Sequence, residues 1–139
     1  MTVTTNLGAK SAPPRTFLSK VLMGNAAMSA VTGLVLVAGA AGLDIWMGVN
    51  RWLLVGVGAG LVAYGITLVI WARSPKWLRS GGRSAVAGDV TWVILAIALI
   101  AFTDELTVAG EVALASVTAV VAYFSAAQTV GLIKLGKEI

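Results

Sequence analysis

One acidic residue, Asp89, stands deep inside an apolar stretch of this 139-residue chain, and an uncharged polar residue stands at comparable depth in each of three other stretches. Asn25 lies five residues beyond Lys20, Thr67 six before Arg73, Asp89 six beyond Arg83 and Gln128 six before Lys134. At a helical rise of about 1.5 Å per residue, each sits roughly 8 to 9 Å past its nearest charge, so the four could form one polar layer. An acid at the centre of a bilayer costs at least about 2.5 kcal/mol and is retained only with a partner or a purpose. Two readings of Asp89 follow. It could be a proton-linked carboxylate or a ligand-binding anion, or it could be structural, favoured by the dipole at the start of its helix and by Arg79 or Arg83 snorkelling toward it. At the opposite boundary, Arg51 and Glu111 read as an interfacial ion pair.

The chemistry this layer could do is bounded by what is missing. The chain has no Cys and no His. Thiol exchange, iron–sulfur ligation, bis-histidine haem, His-based metal sites and His general-base catalysis therefore have no residues to run on. No Lys lies in the interior of a span, which removes a retinal Schiff base. No catalytic, cofactor-binding or metal-ligating residues are assigned, and the expectation is a protein that is not an enzyme and needs no cofactor.

The elements that position these residues are four apolar runs at about 18–41, 52–72, 84–102 and 107–132. The chain is 58% hydrophobic and only 12% charged, where a soluble domain carries about 25% charged residues. Each run approaches or exceeds the ~20 residues a helix needs to cross a bilayer, and continuous apolarity excludes barrel strands. The fold class expected is therefore all-α, a four-helix transmembrane bundle spanning 18–132. A cytoplasmic tail (1–17) precedes it and a cytoplasmic stub (133–139) follows.

Lys10, Arg15, Lys20, Arg73, Lys76, Arg79, Arg83, Lys134 and Lys137 fall on one side of such a bundle, while Arg51 lies on the other with Asp44, Asp104 and Glu105. By the positive-inside rule both termini and the central loop are cytoplasmic, in a multi-pass protein of the cell (inner) membrane. Arg73, Lys76, Arg79 and Arg83 would contact anionic lipid headgroups, each worth about 1 kcal/mol, and nucleic acid is not an expected partner. Trp46 and Trp52 read as anchors at the outer boundary, Trp71 and Trp77 at the inner one. A secretory signal is the competing reading of the first run, since Ala38-Gly39-Ala40 fits a cleavage site. The run from Val21 to Ala41 is nevertheless longer than the usual signal core of about 7 to 15 residues.

Helical spacing predicts inward faces carrying Asn25, Ser29 and Thr32 on the first helix. On the second it gives Gly56, Gly60, Tyr64, Thr67 and Trp71, and on the fourth Glu111, Ala115, Thr118, Ala122, Ser125 and Thr129. Small and polar residues mark helix contacts in lipid, and Gly56 to Gly60 is a GxxxG. An internal repeat is also legible. Gly24-Asn25 recurs as Gly88-Asp89, and Val62-Ala63-Tyr64 as Val121-Ala122-Tyr123, as two duplicated helical hairpins of like orientation would produce. Asn25 and Asp89 would then face each other.

The strings Gly24-Asn25-Ala26 with Ser29 and Gly33, Gly88-Asp89-Val90-Thr91-Trp92-Val93, and Gln128 with Gly131-Leu132 resemble a family of small bacterial four-span integral membrane proteins with no assigned activity. The resemblance covers most of the chain and implies the same architecture. Where that family tends to have a serine after the tryptophan stretch, this chain has Ala96, so no role for that serine carries over. Small multidrug exporters are of similar size but need a Glu in the first helix, where this chain has Asn25. Two functions remain. One is a non-enzymatic accessory or scaffold subunit of a larger membrane complex, such as a respiratory one. The other is a small homo-oligomeric transporter or ligand carrier whose polar layer opens to the cytoplasm.

Overall fold

The protein is described by a computed structural model over residues 16–138, and the Lys10 and Arg15 part of the expected tail lies outside these residues. Four helices follow one another: α1 (Phe17–Met47), α2 (Arg51–Arg73), α3 (Leu78–Phe102) and α4 (Val108–Glu138). All four are long and apolar enough to cross a membrane, with mean hydropathies of 1.9, 2.3, 2.2 and 1.6 over their best windows. Their outward surfaces carry bare Val31, Leu34, Ile66, Ile94, Leu95 and Val112, a distribution that only an apolar solvent tolerates. The chain is a multi-pass membrane protein.

Every helix but α2 extends well beyond its expected bounds, and each extension has a local cause. Helix α1 continues past Ala41 until Gly48, whose φ of 72° and ψ of 34° place it in the left-handed region that closes a helix and suits a residue without Cβ. Thr16 starts it by accepting the Ser19 N–H at 3.2 Å. Helix α3 begins at Leu78 rather than 84, because Gly81 and Gly82 are buried contacts against Trp71 and against Leu18 and Leu132 instead of loop glycines. Trp71 thereby packs inward, as its place on the expected face of the second helix has it and not as an interfacial anchor, while Trp46, Trp52 and Trp77 are exposed. Residues 133–138 of the expected C-terminal stub are the last turn or more of α4.

Two ends of the bundle differ in packing. The terminal end, where Phe17, Arg73, Leu78 and Glu138 lie, is filled by Leu18, Leu22, Ala26, Leu68, Ala72, Leu78 and Ala85, with Leu132 and Leu135 against them. The hairpin end has few buried side chains, chiefly Ala40, Leu54 and Ala96. It is closed by the loops instead: Thr107 N–H donates to the Met47 carbonyl at 3.1 Å, and the Thr107 hydroxyl donates to the Trp46 carbonyl.

Helix α1 packs most extensively on α2, and α3 leans on α4 and touches α2 only sparingly. The α1–α2 contact is a backbone approach. A Cβ built on Gly33 would overlap the Gly58 carbonyl and lie 2.9 Å from Val62, and one on Gly58 would sit 2.7 Å from the Gly33 carbonyl. The inward face of α2 is therefore Leu54, Gly58, Gly65, Leu68 and Ala72. Gly56 and Gly60, expected inside, face outward with nothing within 4 Å of their Cβ positions. The face of α4 is the expected one only in part: Thr118 and Ser125 are buried as expected, together with Gln128, while Ala115, Ala122 and Thr129 are exposed.

Candidate functional site

Above the packed terminal end, one side chain from each helix meets at Asp89. Asn25 of α1 donates through Nδ2 to Asp89 Oδ2 at 2.9 Å and to Gln128 Oε1 at 2.7 Å. Gln128 of α4 donates through Nε2 to the same Oδ2 at 2.9 Å. Tyr64 of α2 donates its hydroxyl to Oδ1 at 3.0 Å, with the Ala85 carbonyl at 3.3 Å as a second acceptor. Ser29 completes the set, its hydroxyl donating to Asn25 Oδ1 at 3.2 Å. Asn25, Asp89 and Gln128 are 2%, 4% and 0% exposed, so the amide–carboxylate bonds are buried, and with the Tyr64 bond they link all four helices.

Three of the four residues expected in the polar layer are brought together: Asn25, Asp89 and Gln128. Thr67 is not. It turns its hydroxyl back onto the Ala63 carbonyl of its own helix at 2.9 Å, as Thr can do in lipid with no help from a neighbour. Tyr64, one turn deeper, supplies the α2 contact, because a phenol cannot reach its own backbone and must find a partner across the bundle. Asn25 and Asp89 do face each other, but Tyr123 is 67% exposed, so the two Val-Ala-Tyr strings do not lie in equivalent surroundings.

The structural reading of Asp89 changes in two respects. With α3 starting at Leu78, the carboxylate lies some three turns in, beyond the first turn over which the dipole acts. No arginine reaches it either. Among the described residues the one ion pair is Arg51 Nε to Asp44 Oδ2 at 3.1 Å, which also replaces the expected Arg51–Glu111 pair: Asp44 lies across the short α1–α2 turn from Arg51. Of the four cations expected at lipid headgroups, Arg73, Lys76 and Arg83 are exposed, with Lys76 Nζ 5.1 Å from the Trp77 ring. Arg79 is half-buried and its Nη2 has no hydrogen-bond partner.

A cavity of about 210 Å³ opens beside the cluster along the bundle axis. Asn25, Ser29, Tyr64 and Asp89 form its polar floor, and Met28 and Trp92 stand in its wall. A second cavity of about 260 Å³, with no polar lining surface, lies toward the hairpin end and shares Thr32, Leu61, Trp92 and Val117 with the first. Its far wall is Trp46, Met47, Val49 and Leu106. The Trp92 indole N–H, in the wall common to both, is buried without a hydrogen-bond partner.

The cavity signal was absent from periodicity and depth, since an unfilled axis depends on how four helices lean together. Among the described residues no cluster of acids gathers that could hold a metal. What the arrangement can do chemically is bind: it offers an acceptor on Asp89 at a polar-floored cavity and, next to it, an apolar one. Comparison with protein-family models, with characterised proteins and with solved structures finds no match for this chain.

Proposed function

We propose that the chain is a non-enzymatic carrier of a membrane-soluble ligand, held along the bundle axis with the ligand's polar end at the Asp89 cluster. The observation that supports this most is a polar-floored cavity next to an apolar one, walled by side chains from all four helices and sharing Thr32, Leu61, Trp92 and Val117. A purely structural cluster needs no unfilled volume beside it, and lipid-packed cores close such gaps where they can. The charge pattern supports a cell (inner) membrane orientation with both termini cytoplasmic and Arg73, Lys76, Arg79 and Arg83 near anionic lipid. In that orientation the packed leucines close the cytoplasmic end, so the ligand reaches Asp89 from the outer half of the bundle or between α2 and α3. An opening to the cytoplasm, the sequence-based expectation, is at odds with Leu18, Leu22 and Leu68 being 0% exposed beneath the cluster.

Filling the two cavities from their common wall tests this reading. Val117 lines both cavities, and Val117→Phe should leave the bundle folded while reducing the occupancy of a small co-released molecule at least about tenfold, read by native mass spectrometry of protein freed from its membrane. Equal occupancy in the variant would overturn the carrier.

A second reading, an accessory subunit of a larger membrane complex such as a respiratory one, is favoured by the outward stripe Gly56, Ala59, Gly60 and Ala63 on α2. Small residues there would let another transmembrane helix approach closely, from a partner or from a second copy. Stoichiometric migration with a large complex after gentle extraction would support it.

A further inference from the structure

Resting on the carrier reading of the same site, we infer that the ligand is a hydrophobic cation, an organic ammonium with an apolar tail, seated with its charged head on Asp89 Oδ1. Three observations converge on that class.

The first is a missing countercharge. Every donor to Asp89 is a neutral amide or phenol, and no Lys or Arg among the described residues pairs with it. A buried carboxylate hydrogen-bonded only to neutral groups still lacks a countercharge, the condition under which a cation gains most from arriving. Neutral headgroups would leave that charge unmatched, and anionic ones would add a second of the same sign.

The second is valence. Oδ2 already accepts from Asn25 and Gln128, whereas Oδ1 accepts from Tyr64 alone. A carboxylate oxygen has room for two donors, so one acceptor site remains on Oδ1 beside the cavity that Asp89 and Tyr64 line together. An N⁺–H donor placed there would make a short, charge-assisted bond.

The third is the wall. Tyr64, Trp92 and Met28 stand around the same space, and aromatic faces with a thioether are surfaces that attract organic cations and not hydrated inorganic ones. Beyond them lies the second, apolar cavity, lined by Leu54, Leu114 and Leu106, which sets the direction of the tail.

The test uses the full chain in lipid nanodiscs with radiolabelled octylamine as the probe, displaced by unlabelled octylamine or by 1-octanol. Octylamine should displace at a concentration at least about tenfold lower than octanol, which has the same tail and a donor but no charge. Asp89→Asn should weaken octylamine binding at least about tenfold in identical nanodiscs, a comparison that cancels partition of the probe into lipid, and should weaken octanol binding far less, since only the amine loses a countercharge. Equal displacement by amine and alcohol, with both lost in Val117→Phe, would overturn the cation and leave the carrier standing. Absence of saturable binding by either probe would overturn both. The amine-to-alcohol comparison is made on the unaltered chain, so it holds even where a variant fails to assemble.

Discussion

Asp89→Ala should destabilise the bundle by about 2–5 kcal/mol, while Asp89→Asn should stay within about 1 kcal/mol of the parent, both measured by unfolding in mixed micelles with increasing SDS. Alanine deletes three interhelical hydrogen bonds at once, from Asn25, Tyr64 and Gln128. Such bonds average about 0.6 and reach about 1.7 kcal/mol in membrane proteins, because helices separated in lipid also find partners. The upper part of the range follows because the buried Asn25 and Gln128 amides lose an acceptor. Asparagine differs because its carbonyl can occupy the Oδ2 place, where the two amides donate, and its NH₂ the Oδ1 place. The Tyr64 hydroxyl then accepts that NH₂ and gives its own proton to the Ala85 carbonyl, already at 3.3 Å. If Asn were as damaging as Ala, the cluster would depend on the negative charge itself, and the geometric account of its stability would be wrong.

The second large effect lies where α1 and α2 touch. Gly58→Val should cost about 3 kcal/mol or more in the same assay, at the upper end of the usual overpacking penalty. Its Cβ would meet the Gly33 carbonyl at 2.7 Å and Val37 at 2.8 Å, and a backbone carbonyl cannot rotate aside as a side chain can. Two residues away the sign reverses. Gly60→Ala meets nothing within 4 Å and replaces the poorer helix former, so it should be neutral or stabilising by up to about 1 kcal/mol. A loss of stability at Gly60 would show that its outward stripe is covered by another helix even in micelles.

Much of this architecture was legible from composition and hydropathy, because backbone groups in lipid leave a run of twenty apolar residues one way to satisfy themselves. Depth counting also found Asn25, Asp89 and Gln128, since polar groups in a bilayer gather at common levels. It failed at α2, where two hydroxyls lie one turn apart and depth favoured Thr67. The deciding fact, that Thr can bond to its own helix and Tyr cannot, is chemical and not positional. Helix faces were the weakest expectation. In water the hydrophobic stripe marks the inside, but here every side of a helix is apolar, so Gly56 and Gly58 look alike until packing chooses between them. Gly81-Gly82 misled for the same reason: glycine in a soluble chain punctuates, whereas in this one it lets Trp71 and Leu18 come close.

The uneven contacts among the helices have a consequence for assembly. Because α2 and α3 scarcely touch, the 74–77 connection holds together two units, α1–α2 and α3–α4, that otherwise meet through α1, α4 and the side chains around Asp89. A chain severed at Pro75 and co-expressed as two fragments should reassociate into a working bundle. Fragments carrying Asp89→Ala should remain apart, since covalent continuity would no longer compensate for the lost recognition between the halves.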